Sequence, residues 1–104
     1  MRNIYLPESD TYVFEDEKTK SVQGFISMVG NYLAAIFVIP EAQGIGIGKA
    51  LIEYVKKIYP EITLRVYAKN EPSVAFYEKQ GFRFVEKHVE EETGEQELVM
   101  KWNR

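Results

Sequence analysis

The run Gln43-Gly44-Ile45-Gly46-Ile47-Gly48-Lys49 carries three glycines in five residues. Glycines so spaced let a backbone come close to a ligand and leave amides pointing outward. Where such a run opens a helix, the amides and the helix dipole together favour an anion. The competing reading is a tight strand-to-helix turn whose glycines serve packing. Two phosphate motifs are excluded by spacing. A dinucleotide G-x-G-x-x-G needs glycine where Lys49 or Leu51 stands, and a nucleotide P-loop needs glycine at Gln43 and a hydroxyl residue at Ala50. The chain has no cysteine and one histidine, His88. Disulfides, thiolate metal sites and a cysteine nucleophile are thereby ruled out, and histidine chemistry has a single candidate.

The elements that must position this loop follow from hydrophobic period. Thr11-Tyr12-Val13-Phe14 and Val22 to Val29 read as two strands joined by a polar turn, with Gly30-Asn31 closing the second. Tyr32 to Ile39 is apolar throughout, which predicts a strand covered on both faces, ended by Pro40. Ile47, Leu51, Tyr54, Val55 and Ile58 then follow helical spacing, so roughly 46–59 is an amphipathic helix stopped by Pro60. Ile62, Leu64 and Val66 alternate as a strand. Asn70 is an N-cap for a short helix over 71–80, with Pro72 in its first turn and Gly81 as terminator. A last hairpin runs over 82–89 and 96–102 around Thr93-Gly94, with Leu98, Met100 and Trp102 on its core face. Residues 1–10 show no period. The order is β-β-β-α-β-α-β-β, a mixed α/β (α+β) layer with helices packed on a sheet.

Two segments of this frame resemble the GNAT family of N-acetyltransferases. Phe37-Val38-Ile39-Pro40-Glu41-Ala42-Gln43-Gly44-Ile45-Gly46-Ile47-Gly48 is similar to the family's V-x-P-x-x-Q/R-G-x-G-x-G segment. Asn70-Glu71-Pro72-Ser73-Val74-Ala75-Phe76-Tyr77-Glu78-Lys79-Gln80-Gly81-Phe82 is similar to its N-x-x-A-x-x-F/L-Y-x-x-x-G-F segment. The two occur in the family's order, separated by one helix and one strand, and the resemblance covers about 11–102. Family members usually carry a further strand and two helices ahead of the strand at Thr11. Ten residues precede it here, so a short form is expected.

The resemblance implies the GNAT fold, acetyl-coenzyme A (acetyl-CoA) as donor without a metal, and direct transfer to a primary amine. It assigns the pyrophosphate to the amides of Gln43, Gly44, Ile45, Gly46, Ile47 and Gly48; Lys49, in the first helical turn, reads either as an added charge or as a solvated surface lysine. It assigns the pantetheine arm to the strand end at Phe37, Val38 and Ile39 and to Asn70, Ser73 and Phe76. Tyr77 matches the family tyrosine that protonates the departing thiolate. A phenol of pKa ~10 giving its proton to a thiolate of pKa ~8.5 runs uphill by ~2 kcal/mol. Tyr77 therefore needs a lowered pKa or acts mainly as a hydrogen-bond donor. No carboxylate is evident as general base. Arg65 stands where some members carry glutamate, and His88 reads as an exposed residue in the last hairpin. Deprotonating a lysine side chain at pH 7 costs ~4.6 kcal/mol against ~1 kcal/mol for an α-amine, so the α-amine is the easier acceptor.

Length, charge and hydropathy limit the alternatives. The 104 residues suit one domain, 1–104, and 45% hydrophobic with 28% charged residues is a globular balance. Thirteen basic against sixteen acidic residues give −3, which carries no basic excess for nucleic acid or membrane surfaces. No apolar run spans a bilayer and no leader pattern opens the chain, so a cytoplasmic location is expected. Six of the twelve residues in 86–97 are glutamate, read as a solvated hairpin. The short N-terminus predicts open apolar surface on the sheet or beside the first helix, and with it a homodimer. The competing function is a non-catalytic acyl-CoA sensor that docks on a partner protein.

Overall fold

The computed structural model describes the backbone of residues 2–6 and 9–104, with side chains from Asp10 onward. Four strands come first: β1 (Arg2–Leu6), β2 (Ser9–Glu15), β3 (Val22–Val29) and β4 (Tyr32–Val38). A 3-10 turn at Pro40–Ala42 leads into α1 (Ile47–Ile58). Then follow β5 (Glu61–Tyr67), α2 (Glu71–Lys79), β6 (Arg83–Val89) and β7 (Gln96–Asn103). The expected order holds, with one strand added in front of it. β1 escapes a reading by hydrophobic period because its ladder to β2 is made of backbone groups, which pair without any side-chain alternation.

The chain divides into two compact units, Met1–Tyr59 and Pro60–Arg104. In the first, β1 to β4 form an antiparallel meander. Tyr12 pairs with Ile26 and Ile26 with Ile36, so these three share a face. α1 packs across β2, β3 and β4. Ile47, Leu51, Ile52 and Val55 form its buried stripe, and the Tyr12 and Tyr54 rings meet edge to face at 5.2 Å. Ile58, expected on that stripe, is exposed in the last turn, and Ile52 is buried instead. The helix end is tied down by Tyr59, whose hydroxyl donates to Asp10 Oδ2 at 3.5 Å.

β4 is not the doubly covered strand its composition predicts. Ala34 and Ala35 are exposed and Phe37 is 48% exposed. The register slips between Ser27 and Met28, which pair with Ala35 and Leu33, so Ala34 is a bulged extra residue. The bulge restarts the alternation. Leu33 and Ile36 share the face of Met28 and Ile26, while Phe37 stacks on Phe25 at 6.0 Å on the other side. A continuous apolar run does not say how many covers are supplied, and the only α-helix of this unit among the described residues lies on one face.

In the second unit β7 lies between β5 and β6, both antiparallel to it. Ile62, Leu64 and Val66 pair with Trp102, Met100 and Leu98, which makes the expected core face; Leu64 and Met100 are fully buried. The opposite face carries Glu61, Thr63, Arg65 and Tyr67, paired with Asn103, Lys101, Val99 and Glu97.

Candidate functional site

The glycine run follows the 3-10 turn directly. Ala42 N–H donates to Ile39 C=O at 3.0 Å and Gln43 N–H to Pro40 C=O at 3.3 Å, which folds the chain back before the glycines. Gly44 and Gly46 then take φ of 87° and 89°, left-handed values that only glycine adopts without strain. Gly46 is the N-cap of α1 and has no side chain to cap with. Its carbonyl receives the first helical bond, from Ala50 N–H at 3.0 Å. The N–H groups of Ile47, Gly48 and Lys49 are therefore left without intrahelical partners. A Cβ built on Gly44 or Gly46 meets nothing within 4 Å, and Ile45 is 70% exposed, so the space over the run is open. Outward amides, a helix N-terminus and open space are what a diphosphate requires.

The strand end is more selective than its composition. Ile39 N–H donates to Gln23 C=O at 2.9 Å, so Ile39 faces β3. Backbone groups alternate sides along a strand, which turns Phe37 to β3 as well and leaves Val38 facing the other edge. Val38 C=O accepts from Gln43 Nε2 at 3.1 Å. Of the three expected arm contacts, Val38 is the one whose backbone edge points away from β3, and Gln43 serves as a strut between strand and loop. Gly24 was not singled out by its sequence. A Cβ there would lie 2.7 Å from Phe37 O and 3.2 Å from Ile47 Cγ2, so Gly24 seats the first residue of α1 against β4. The signal was a glycine inside a strand, which marks close backbone approach.

The second group stands on α2. Asn70 caps it, with Oδ1 accepting from Ser73 N–H at 3.4 Å, which leaves the Nδ2 hydrogens for another partner. Asn70, Ser73 and Tyr77 recur at helical spacing and share one face, with Phe76 beside Tyr77. Tyr77 is 9% exposed, its ring edge to face with Phe76 at 5.4 Å and Phe82 at 5.8 Å. Burial pushes the Tyr77 phenol above its ordinary pKa. Of the two roles open to it, the lowered pKa is thus disfavoured and hydrogen-bond donation favoured. No fully buried side-chain polar atom among the described residues lacks a partner.

Arg65, Glu97 and His88 form a cluster that sequence reasoning left apart. Glu97 Oε1 lies 2.9 Å from His88 Nε2 and 3.9 Å from Arg65, and its side chain is 12% exposed. The β5–β7–β6 register brings them to the polar face of the sheet, away from Leu64 and Met100. Strand alternation was the available signal, but it required the register.

A sequence model described as the acetyltransferase (GNAT) domain matches residues 7–84. The chain is 41% identical over 103 residues to the peptidyl-lysine N-acetyltransferase YiaC of Escherichia coli (strain K12), covering 98% of this chain and 69% of YiaC. It is 37% identical over 79 residues to the peptidyl-lysine N-acetyltransferase YjaB of the same organism, covering 76% of this chain and 53% of YjaB. The crystal structure of a Bacillus anthracis str. Ames protein in complex with acetyl coenzyme A superposes with a TM-score of 0.84 at 23% identity. That likeness of fold covers 97% of this chain and 65% of the other. The chain thus spans about half to two-thirds of the length of the proteins it matches.

Proposed function

The chain belongs to the GNAT family of acetyltransferases, and on that premise we propose that it moves the acetyl group of acetyl-CoA to the side-chain amine of a lysine in a protein or peptide. The observation that carries the reading is the start of α1, where left-handed Gly44 and Gly46 open a row of unpartnered amides to solvent. In this reading the pyrophosphate sits on those amides with Lys49 alongside. In the first unit Val38 offers its backbone edge to an amide of the pantetheine arm; in the second, Asn70 Nδ2, Ser73 and Phe76 are the groups of α2 that the family resemblance assigns to that arm.

The acceptor nitrogen, once neutral, attacks the thioester carbonyl carbon. A C–N bond forms, the C–S bond breaks, and the proton lost by nitrogen balances the one gained by sulfur through solvent. Tyr77, kept protonated by burial, donates a hydrogen bond to the departing sulfur. Support for lysine as acceptor is the naming of both curated relatives as peptidyl-lysine N-acetyltransferases. The α-amine favoured by pKa arithmetic stands as the competing acceptor; with lysine, the cost of deprotonation governs the pH dependence.

A homodimer belongs to the same proposal. Phe84, Val85 and Val89 stand exposed along β6, apolar surface of the kind that partners cover. Sedimentation that finds a monomer at every concentration removes this part.

The test is calorimetric titration with acetyl-CoA, followed by thiol release with an N-terminally blocked lysine peptide and with the same peptide already acetylated on lysine. Binding, and release from the first peptide alone, is expected. Absence of binding overturns the reading. Binding without release from any amine is the signature of an acyl-CoA sensor, and release only from peptides with a free α-amine transfers the acceptor to that group.

A further inference from the structure

Three consecutive residues, Tyr67 at the end of β5 and Ala68 and Lys69 after it, are tied to the β6–β7 turn and to the first residue of β7. Tyr67 Oη donates to Glu90 Oε1 at 2.9 Å, Ala68 N–H donates to Gln96 C=O at 2.9 Å, and Lys69 Nζ stands 3.1 Å from Glu95 Oε1. The β6–β7 turn that receives them is braced from within. Thr93 Oγ1 donates to the same Glu90 oxygen at 3.0 Å, and Glu95 N–H donates to Thr93 Oγ1 at 3.2 Å. Gly94 N–H closes on Glu90 C=O at 2.8 Å, and Glu90 N–H on Glu95 C=O at 2.9 Å.

The bonds continue from Tyr67 into α2. Asn70 N–H donates to Tyr67 C=O at 3.0 Å, and Asn70 in turn receives Ser73 N–H on its side chain and Val74 N–H on its carbonyl. α2 has nine residues, and Tyr77 is the one of them that is buried. A helix this short is marginal by itself, so the geometry of its first turn must be imposed from outside.

We propose that the Glu90–Glu95 turn is a positioning element for acetyl-CoA binding: acting through Tyr67, Glu90 sets the corner that carries Asn70 and the first turn of α2. The inference rests on the acetyl-CoA reading of Asn70 and Ser73. Neither Tyr67 nor Glu90 touches the donor in it. The Tyr67–Glu90 bond is charge-assisted, and the turn's other contacts to the corner are one backbone bond and one exposed ion pair, so this bond is the strongest side-chain tie to the corner. Consistent with that tie, the Glu90 bond is the leading cause that raises the Tyr67 phenol above its ordinary pKa. The glutamates of this hairpin accordingly divide in two. Glu90, Glu95 and Glu97 hold partners, while Glu86 on β6 and Glu91 and Glu92 at the tip are exposed.

The test compares Tyr67→Phe, Glu90→Ala, Glu90→Gln and the double variant Tyr67→Phe/Glu90→Ala. Losing one such bond is expected to weaken acetyl-CoA affinity and raise its KM about fivefold, with kcat for the bound donor little changed. Glu90→Gln keeps an acceptor oxygen for Tyr67 and Thr93 and is expected to restore most of the affinity. The double variant is expected to match Glu90→Ala, because Tyr67→Phe has nothing left to remove once the Glu90 carboxylate, which also receives Thr93, is gone. Hydrogen exchange without ligand is the independent readout: the Ser73 and Val74 amides are expected to exchange about fivefold faster in Tyr67→Phe, with amides of β3 unchanged. Unaltered affinity, or exchange that rises equally in β3, overturns the proposal. If the wild type binds no acetyl-CoA, the functional reading fails, and exchange at Ser73 and Val74 alone decides whether the turn sets the corner.

Discussion

Phe82 closes the helix that carries Tyr77 and packs on its ring in the same motif. Its N–H donates to Tyr77 C=O at 3.0 Å, while the two rings meet edge to face at 5.8 Å. Between them Gly81 takes φ of 92° and donates to Glu78 C=O at 3.0 Å, a left-handed glycine cap with its accompanying apolar contact. The phenol is thus held from its backbone and from its ring, and only the hydroxyl is left for chemistry. Tyr77→Phe is expected to leave the melting temperature nearly unchanged and acetyl-CoA affinity intact, while turnover falls roughly 10²–10⁴-fold. Steady-state rates with calorimetric affinities check this, and full turnover in the variant would falsify the role given to Tyr77.

The pH profile separates the acceptor from the enzyme. With lysine as acceptor and no enzyme base, the rate is expected to rise about tenfold per pH unit from neutrality toward the amine pKa of ~10.4. Substituting an acceptor of lower basicity is expected to move the limb down by the difference. Burial raises the Tyr77 pKa, so its phenol keeps its proton through the same range and imposes no fall in rate below about 10. An acidic limb fixed at one pH for acceptors of different basicity contradicts this scheme and points to a protein base.

Asn70 has two separable duties. Asn70→Asp keeps the oxygen that receives Ser73 N–H and removes the Nδ2 donors, so thermal stability is expected to hold while acetyl-CoA affinity drops. Asn70→Ala is expected to lose about 1 kcal/mol of stability in addition. Equal affinity in wild type and Asn70→Asp leaves Asn70 as a cap alone.

At the glycine run, Gly46→Val places a β-branched residue at φ of 89° and in the open space over the amides. It is expected to weaken donor binding and to cost about 1–2 kcal/mol from the left-handed backbone. Gly48→Ala separates the two effects. Gly48 lies inside α1 with no positive φ, so stability is expected to be kept or raised. A folded Gly46→Val that binds acetyl-CoA as the wild type does removes the phosphate role of the run.

Tyr59 is expected to contribute to the alkaline stability of the first unit. Burial first, then Tyr12 and Asp10, push its phenol up to about 12. The folded state therefore holds this proton more tightly than the unfolded chain, whose tyrosines titrate near ~10. Its contribution is complete below pH ~10 and is lost as pH rises through about 12. Denaturant midpoints measured from pH 9 upward are expected to fall over this window and to fall less steeply in Tyr59→Phe. Parallel profiles for the two proteins contradict this assignment.

Local chemistry was readable without coordinates. Gly44 to Gly48 ahead of an amphipathic stretch, Asn70 before Pro72, and Gly81-Phe82 behind Tyr77 each act over a few residues of backbone, so their types and spacing specify a loop, a cap and a stop. What depended on register and on neighbours was not. The apolar run of β4 carries no mark of the bulge at Ala34 or of how many faces are covered. Val38 is distinguished from Phe37 and Ile39 only by which edge its backbone faces, a property of pairing with Gln23 and Gly24. The glutamates of 86–97 look alike in composition, yet Glu97 faces Tyr67 and His88 across two ladders while Glu91 and Glu92 face water. Only the tertiary structure decided these, because hydrogen-bond register and burial are set by segments distant in the chain and leave no local period behind.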